Sequence, residues 1–161
     1  MVLDADNCTI DPDTRPDRVD SRPYLSRLIE LADIVIASEP FAAKYAASAG
    51  LAGPDPVAAV ALLRGAPGPG ANGGRTALVT LGEKGGVGEC EGKKFRYTAY
   101  SVDVVDTTGA GDVFHGAYIH GMLAGWELER RVRFASAAAA MKCRKLGGRT
   151  GEWQRCSLFF F

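Results

Sequence analysis

The sequence has 161 residues, of which 47% are hydrophobic and 24% are charged, as is ordinary for a globular domain. Nineteen Lys and Arg residues balance nineteen Asp and Glu residues, so no strong field attracts nucleic acid or an anionic membrane surface, and we expect neither partner. The start MVLDADNCTIDPD lacks the basic stretch and apolar run of a secretory signal, and no apolar run is long enough to span a bilayer.

The first half of the chain predicts alternating strands and helices. The short apolar run from Asp33 to Ala37 is typical of a buried strand. Proline near the start of a helix and glycine after its end set the helix bounds. The elements predicted in chain order are a strand at 2–3, a polar loop at 7–20, a helix at 21–31, a strand at 33–37, helices at 40–50 and 55–65, and a surface loop at 65–74.

The second half continues the alternation. Phe95, Tyr97 and Ala99 alternate with polar residues, which predicts a hairpin that turns at Glu91-Gly92. The predicted elements are a strand at 76–81, a glycine-rich stretch at 82–88, hairpin strands at 87–90 and 93–100, a strand at 102–105, and helices at 109–124 and 128–146. Because strands alternate with helices, the expected fold class is α/β, with a mostly parallel sheet flanked by helices.

Cysteine and histidine spacing gives no metal site. Four scattered cysteines without a CxxC pair are typical of reduced thiols in the cytoplasm, where we expect the protein. His115 and His120 are five residues apart, which is not the spacing that directs two side chains at one metal from a helix.

The most informative segment, DTTGAGD at 106–112, lies between a predicted strand and a predicted helix. Glycines at such a junction let the backbone approach a ligand, and the free N–H groups and the helix dipole together form an anion site. Asp112 has two interpretations on physical grounds. It complements the helix dipole, or it accepts a proton from a hydroxyl that attacks a phosphoryl group.

DTTGAGD, followed by VFHGAYIHGML, resembles the C-terminal signature of the ribokinase (PfkB) family of carbohydrate kinases. The resemblance implies a partial ribokinase-like fold and transfer of the γ-phosphoryl group of ATP, with Mg²⁺, to the hydroxyl of a sugar-like substrate. It implies that Asp112 is the general base, and that Asp106 and Thr108 help to hold a monovalent cation such as K⁺. The anion hole is implied at Gly109, Ala110 and Gly111.

Two further segments resemble nucleotide-binding parts of the family. Residues 79–86 resemble its nucleotide strand and loop, and the helix around 134–139 resembles the one that borders the adenine. On the residues alone, a tight turn and ordinary helix packing explain these small residues equally well. The implied nucleotide-binding positions are Thr80, Gly82, Glu83, Gly85, Gly86, Ser136 and Ala139.

The sequence also departs from the family. Where the family often carries Asn-x-x-Glu to organise magnesium, this chain has Ser38 and Phe41, with Glu39 as a possible substitute. The resemblance covers 1–148, and 149–161 is a divergent tail. Family members are roughly twice as long, and their first half carries the sugar site and a lid.

Two alternatives follow. One is a truncated, inactive chain that at most binds nucleotide. The other is a Rossmann-type module, which requires a GxGxxG that 3–20 lacks. No feature specifies the sugar or the oligomeric state.

Overall fold

The computed structural model describes residues 1–4, 22–51, 55–65 and 75–147. The chain forms two compact units, Met1–Thr98 and Ala99–Phe161. The predicted loop at 7–20, most of the loop at 65–74 and the tail at 149–161 lie outside the described residues.

The first unit contains the sheet. Its elements in chain order are β1 (Val2–Asp4), α1 (Arg22–Leu31), β2 (Ile34–Ser38), α2 (Glu39–Ser48), α3 (Pro56–Arg64), β3 (Thr76–Thr80), a single 3₁₀ turn (Gly82–Lys84), β4 (Gly86–Cys90) and β5 (Lys93–Tyr97). The second unit contains α4 (Ala110–Leu123) and α5 (Leu128–Cys143).

The five strands lie in sequence order across one sheet. β1, β2 and β3 are parallel to one another, whereas β4 pairs antiparallel with β3 and with β5. The turn of the β4–β5 hairpin is at Glu91-Gly92, as predicted, and both residues have positive φ, which a tight two-residue hairpin requires. The sequence thus predicted the α/β class correctly, and the parallel part of the sheet is β1–β3.

Burial of the two central strands explains why the sheet forms here. β2 is apolar up to Ser38, β3 is apolar between Thr76 and Thr80, and Val35, Ile36 and Leu78 are at most 1% exposed. Helices α2 and α3 pack on these strands. The caps fix where the helices begin, because the side chain of Ser38 accepts a hydrogen bond from the Phe41 N–H and that of Asp55 from the Val57 N–H.

The second unit is built on a hairpin of two helices. α4 and α5 pack along each other, and Gly125, with φ of 71°, lies in the turn that joins them. Gly121 permits a close approach, because a β-carbon there would lie 2.9 Å from the Trp126 ring and 3.1 Å from the Arg131 side chain. The Trp126 and Phe134 rings meet edge to face, 5.2 Å apart.

The strand predicted at 102–105 is wrong: this segment has no regular secondary structure and belongs to no sheet in the described part of the chain. The N–H groups of Val105 and Asp106 instead donate to the carbonyl oxygen of Cys143, at 2.8 and 3.1 Å. The apolar pattern misled because Val104 and Val105 are more than 60% exposed. α5 ends at Cys143, three residues before the predicted end.

Within the residues that the structure describes, none of the helices has the length and apolar character needed to cross a bilayer. Cys90 and Cys143 are free thiols.

Candidate active site

The residues predicted to form the anion hole lie at the N terminus of α4. Gly109 is its N-cap in the left-handed conformation (φ 76°), which glycine adopts without strain, and no side chain caps the helix among the described residues. The Ala110 N–H donates to the carbonyl oxygen of Thr107 at 3.0 Å. The N–H groups of Gly111 and Asp112, in the first turn, have no acceptor within the helix. These two N–H groups and the positive end of the helix dipole could bind an anion.

Asp112 lies in that first turn, and it is exposed to solvent. A carboxylate there is accessible to a substrate hydroxyl and next to the N–H groups that would bind an anion. One turn further along α4, the buried His115 makes a 2.7 Å hydrogen bond between its Nδ1 atom and the carbonyl oxygen of Gly111. Because the Asp112 carboxylate is exposed and lies next to these N–H groups, it could accept a proton from a hydroxyl beside a bound phosphate.

Asp106, at the start of the motif, is held by several donors. Its Oδ1 atom accepts from the Thr108 N–H at 2.9 Å and its Oδ2 atom from the Gly147 N–H at 2.8 Å. The ammonium of Lys142 donates to its main-chain oxygen at 2.8 Å and lies 3.7 Å from Oδ2. These N–H groups, first that of Thr108 and then that of Gly147, hold the pKa of Asp106 well below its usual range. Lys142 adds to this effect, and burial opposes it.

This network bears on the monovalent cation predicted at Asp106 and Thr108. Both carboxylate oxygens of Asp106 already accept from backbone N–H groups, and its carbonyl oxygen already accepts from an ammonium. The local donor set therefore fits a protein ammonium better than a free ion.

In the first unit, the predicted nucleotide segment begins where β3 ends. Thr80 pairs with Ser38 at the end of the neighbouring parallel strand, and its hydroxyl donates to the carbonyl oxygen of Ala37 at 3.4 Å. Gly82 and the exposed Glu83 follow in the 3₁₀ turn. The segment therefore forms a short turn at the carboxyl end of a buried strand, where α/β proteins commonly bind ligands.

Gly85 and Gly86 have a packing reason to be glycine. Gly85 has φ of 87°, and a β-carbon on it would overlap the carbonyl oxygen of Tyr97. A β-carbon on Gly86 would lie 2.5 Å from the Tyr97 ring and 2.7 Å from the carbonyl oxygen of Val79. These contacts explain both glycines without a ligand, so their nucleotide-binding role stays a prediction.

The two remaining predicted nucleotide-binding positions lie in α5. Ser136 is buried in α5, where it is 5% exposed, and Ala139 is half-buried.

Phe41, at the acidic position of the family's magnesium motif, is buried in the core and stacks on Tyr45. It cannot replace a carboxylate, and the only acid of the α2 first turn is Glu39.

Sequence reasoning missed Lys142. The side chain is 1% exposed, although lysine is almost never fully buried unless it is paired. A signal was present, because Ala135, Ala138 and Lys142 follow one another at steps of three and four residues on the buried face of α5.

A turn at the end of a buried strand and a helix N terminus with exposed donors are each typical of proteins that bind phosphate-bearing ligands. The model of the family described as "pfkB family carbohydrate kinase" matches residues 3–155. The chain therefore belongs to the pfkB family of carbohydrate kinases.

Individual relatives agree with this assignment. A ribokinase from Haemophilus influenzae is 35% identical over 75 residues, which are 47% of this chain and 24% of the relative. An adenosine kinase from Schizophyllum commune is 31% identical over 132 residues, which are 78% of this chain and 38% of the relative. Among solved structures, a putative ribokinase II from E. coli in complex with ATP and Mg²⁺ superposes with a TM-score of 0.64 at 28% identity, over 81% of this chain and 39% of that one. The chain thus spans about two fifths or less of each relative.

Proposed function

We propose that this chain carries the nucleotide-handling and catalytic part of an ATP- and Mg²⁺-dependent kinase that phosphorylates a hydroxyl of a sugar or nucleoside. The observation that carries the proposal is the N terminus of α4, where the Gly111 and Asp112 N–H groups have no acceptor within the helix and the exposed Asp112 carboxylate lies in the same turn, within a pfkB family match. The substrate class follows from relatives that include a ribokinase and an adenosine kinase.

The roles of the residues follow from phosphoryl transfer. Charge develops on the transferred group and on the oxygens that attack and leave, so catalysis rests on positioning and on charge stabilisation. The N–H groups around Gly109–Gly111 would stabilise that charge, and Asp112 would accept the proton of the attacking hydroxyl. Thr80, Gly82, Glu83, Gly85 and Gly86 would contribute to nucleotide binding in one unit, and Ser136 and Ala139 in the other. Mg²⁺ would neutralise phosphate charge, and Glu39 is the acidic side chain offered near the magnesium motif.

We further propose residues 1–148 as the kinase portion, 149–161 as a tail, and the cytoplasm as the location. A second candidate is a chain that binds nucleotide and transfers nothing. The short span relative to the kinases that it matches favours this candidate.

One experiment separates the two candidates. The 161-residue chain is incubated with ATP, Mg²⁺ and a panel of sugars and nucleosides, while ADP release and phosphorylated product are measured. Asp112→Asn should lower kcat by about 10²–10⁴-fold, the usual contribution of a general base, and leave ATP affinity within a few fold. Asp103→Asn, an exposed acid in the same unit, is the matched control and should change neither quantity. Near-normal turnover of Asp112→Asn would exclude the base, whereas ATP binding without turnover on any acceptor would favour the second candidate.

A further inference from the structure

Lys142 joins two parts of the second unit that are far apart in sequence. It lies in the last turn of α5, buried to 1% exposure, and its ammonium donates to the carbonyl oxygen of Asp106, 36 residues earlier. Its position at a helix C terminus also suits a cation, because the helix dipole is negative there.

The lysine is the charged member of a larger anchor. The Val105 and Asp106 N–H groups donate to the carbonyl oxygen of Cys143, and the Gly147 N–H donates to the Asp106 carboxylate. The end of α5 therefore fixes the backbone at 105–106 through several bonds. With the carboxylate 3.7 Å from the ammonium, Lys142 neutralises a charge that would otherwise be held in a half-buried place.

Two hydrogen bonds connect the residues held by this anchor to the predicted anion hole. The Asp106 carboxylate accepts from the Thr108 N–H, and the next carbonyl oxygen, that of Thr107, accepts from the Ala110 N–H. Gly109, the N-cap of α4, lies between these two bonds. The direction in which the first-turn N–H groups point thus depends on the conformation at Asp106.

We propose that Lys142 is a positioning residue whose ammonium acts as a tethered internal cation. It holds Asp106 and so orients the 106–109 turn for an anionic ligand, which makes a free monovalent cation unnecessary at this place. The identity of the anionic ligand rests on the proposed function, whereas the role of the lysine in the turn does not.

Amide hydrogen exchange tests the proposal without any nucleotide, so it can succeed or fail independently of the kinase assignment. The Thr108 amide is the reporter, because its N–H is bonded to Asp106. Exchange is measured by NMR at equal ionic strength in KCl, ammonium chloride and tetramethylammonium chloride. The variants are Lys142→Met, which removes the charge but keeps an unbranched chain, and Lys142→Arg, which keeps the charge. Lys44→Met, at an exposed lysine of α2, is the matched control.

The wild type, Lys142→Arg and Lys44→Met should exchange at the same rate in all three salts. Lys142→Met should exchange about tenfold faster in tetramethylammonium, the scale expected when a hydrogen bond to a charged group is lost. KCl and ammonium chloride should restore part of the protection, because a small cation can enter beside Asp106. If Lys142 only fills space, KCl and ammonium chloride should not slow the exchange of Lys142→Met.

Three results would overturn the proposal. They are wild-type exchange that slows in KCl, Lys142→Met exchange equal to that of the wild type, and fast Lys142→Met exchange that no cation slows. If Lys142→Met does not fold, the wild type and Lys142→Arg still decide, since a dependence of either on K⁺ contradicts a tethered cation.

Discussion

Gly86 lies where β4 passes between β3 and the ring of Tyr97, and replacing it with alanine adds a methyl group to a filled space. The β-carbon would lie 2.7 Å from the carbonyl oxygen of Val79 and 2.5 Å from the Tyr97 ring. The ring can rotate away, but the carbonyl oxygen belongs to a strand paired on both sides. Overpacking of this kind costs about 1–3 kcal/mol, and we expect the upper end because backbone must move.

For a chain of 161 residues, a loss of about 3 kcal/mol lowers the melting temperature by roughly 6–12 °C. The assay is thermal unfolding followed by circular dichroism. Gly116→Ala is the control, because its β-carbon meets nothing within 4 Å in the middle of α4, and it should stabilise by about 0.5–1 kcal/mol. A Gly86→Ala protein that melts with the wild type would refute the packing explanation. Measuring ATP affinity at a temperature where the variant is folded then reports on ligand binding separately.

Two further variants test the electrostatics and the capping. Asp106→Asn should lower the free energy of unfolding at pH 7. This loss relative to the wild type should become smaller as the pH falls. Because the folded-state pKa of Asp106 lies below its unfolded value of about 3.9, the contribution of the carboxylate is complete above about pH 4 and is lost as the pH falls towards the folded pKa. Urea unfolding of both proteins at a series of pH values checks this. A difference in the free energy of unfolding that stays constant with pH would contradict it. Asp55→Ala removes the cap of α3, a 3.0 Å bond to the Val57 N–H, and should cost about 1 kcal/mol in urea unfolding, whereas Asp55→Asn should cost little.

The sequence predicted most elements because their signals are local. The apolar run at β2, proline near the starts of α2 and α3, and the Glu91-Gly92 turn each specify a conformation from neighbouring residues. Val104 and Val105 gave a false strand signal, because the partner of this segment is the Cys143 carbonyl oxygen, nearly forty residues later in the chain. No local pattern contains that information.

The site was predictable to a similar extent. DTTGAGD predicted the turn and the helix start at 106–112, since glycine at such a junction has a direct backbone consequence, whereas anion binding there stays a prediction. The packing role of Gly86 depends on Tyr97, a residue of the next strand, and the role of Lys142 depends on a contact across the unit. The helical spacing from Ala135 and Ala138 indicates that Lys142 lies on the buried face of α5, but only the fold shows that its ammonium pairs with Asp106.

We propose that the turn before α4 binds the phosphates of a nucleotide through its backbone N–H groups. Backbone amide NMR during titration of the 161-residue chain with Mg²⁺-ATP tests it most directly. We predict that the largest shifts fall on the amides of Gly109, Gly111 and Asp112, and that adenosine without phosphates does not cause them. Saturable binding of Mg²⁺-ATP that leaves the signals of these three amides unshifted would show that the phosphates do not bind at this turn.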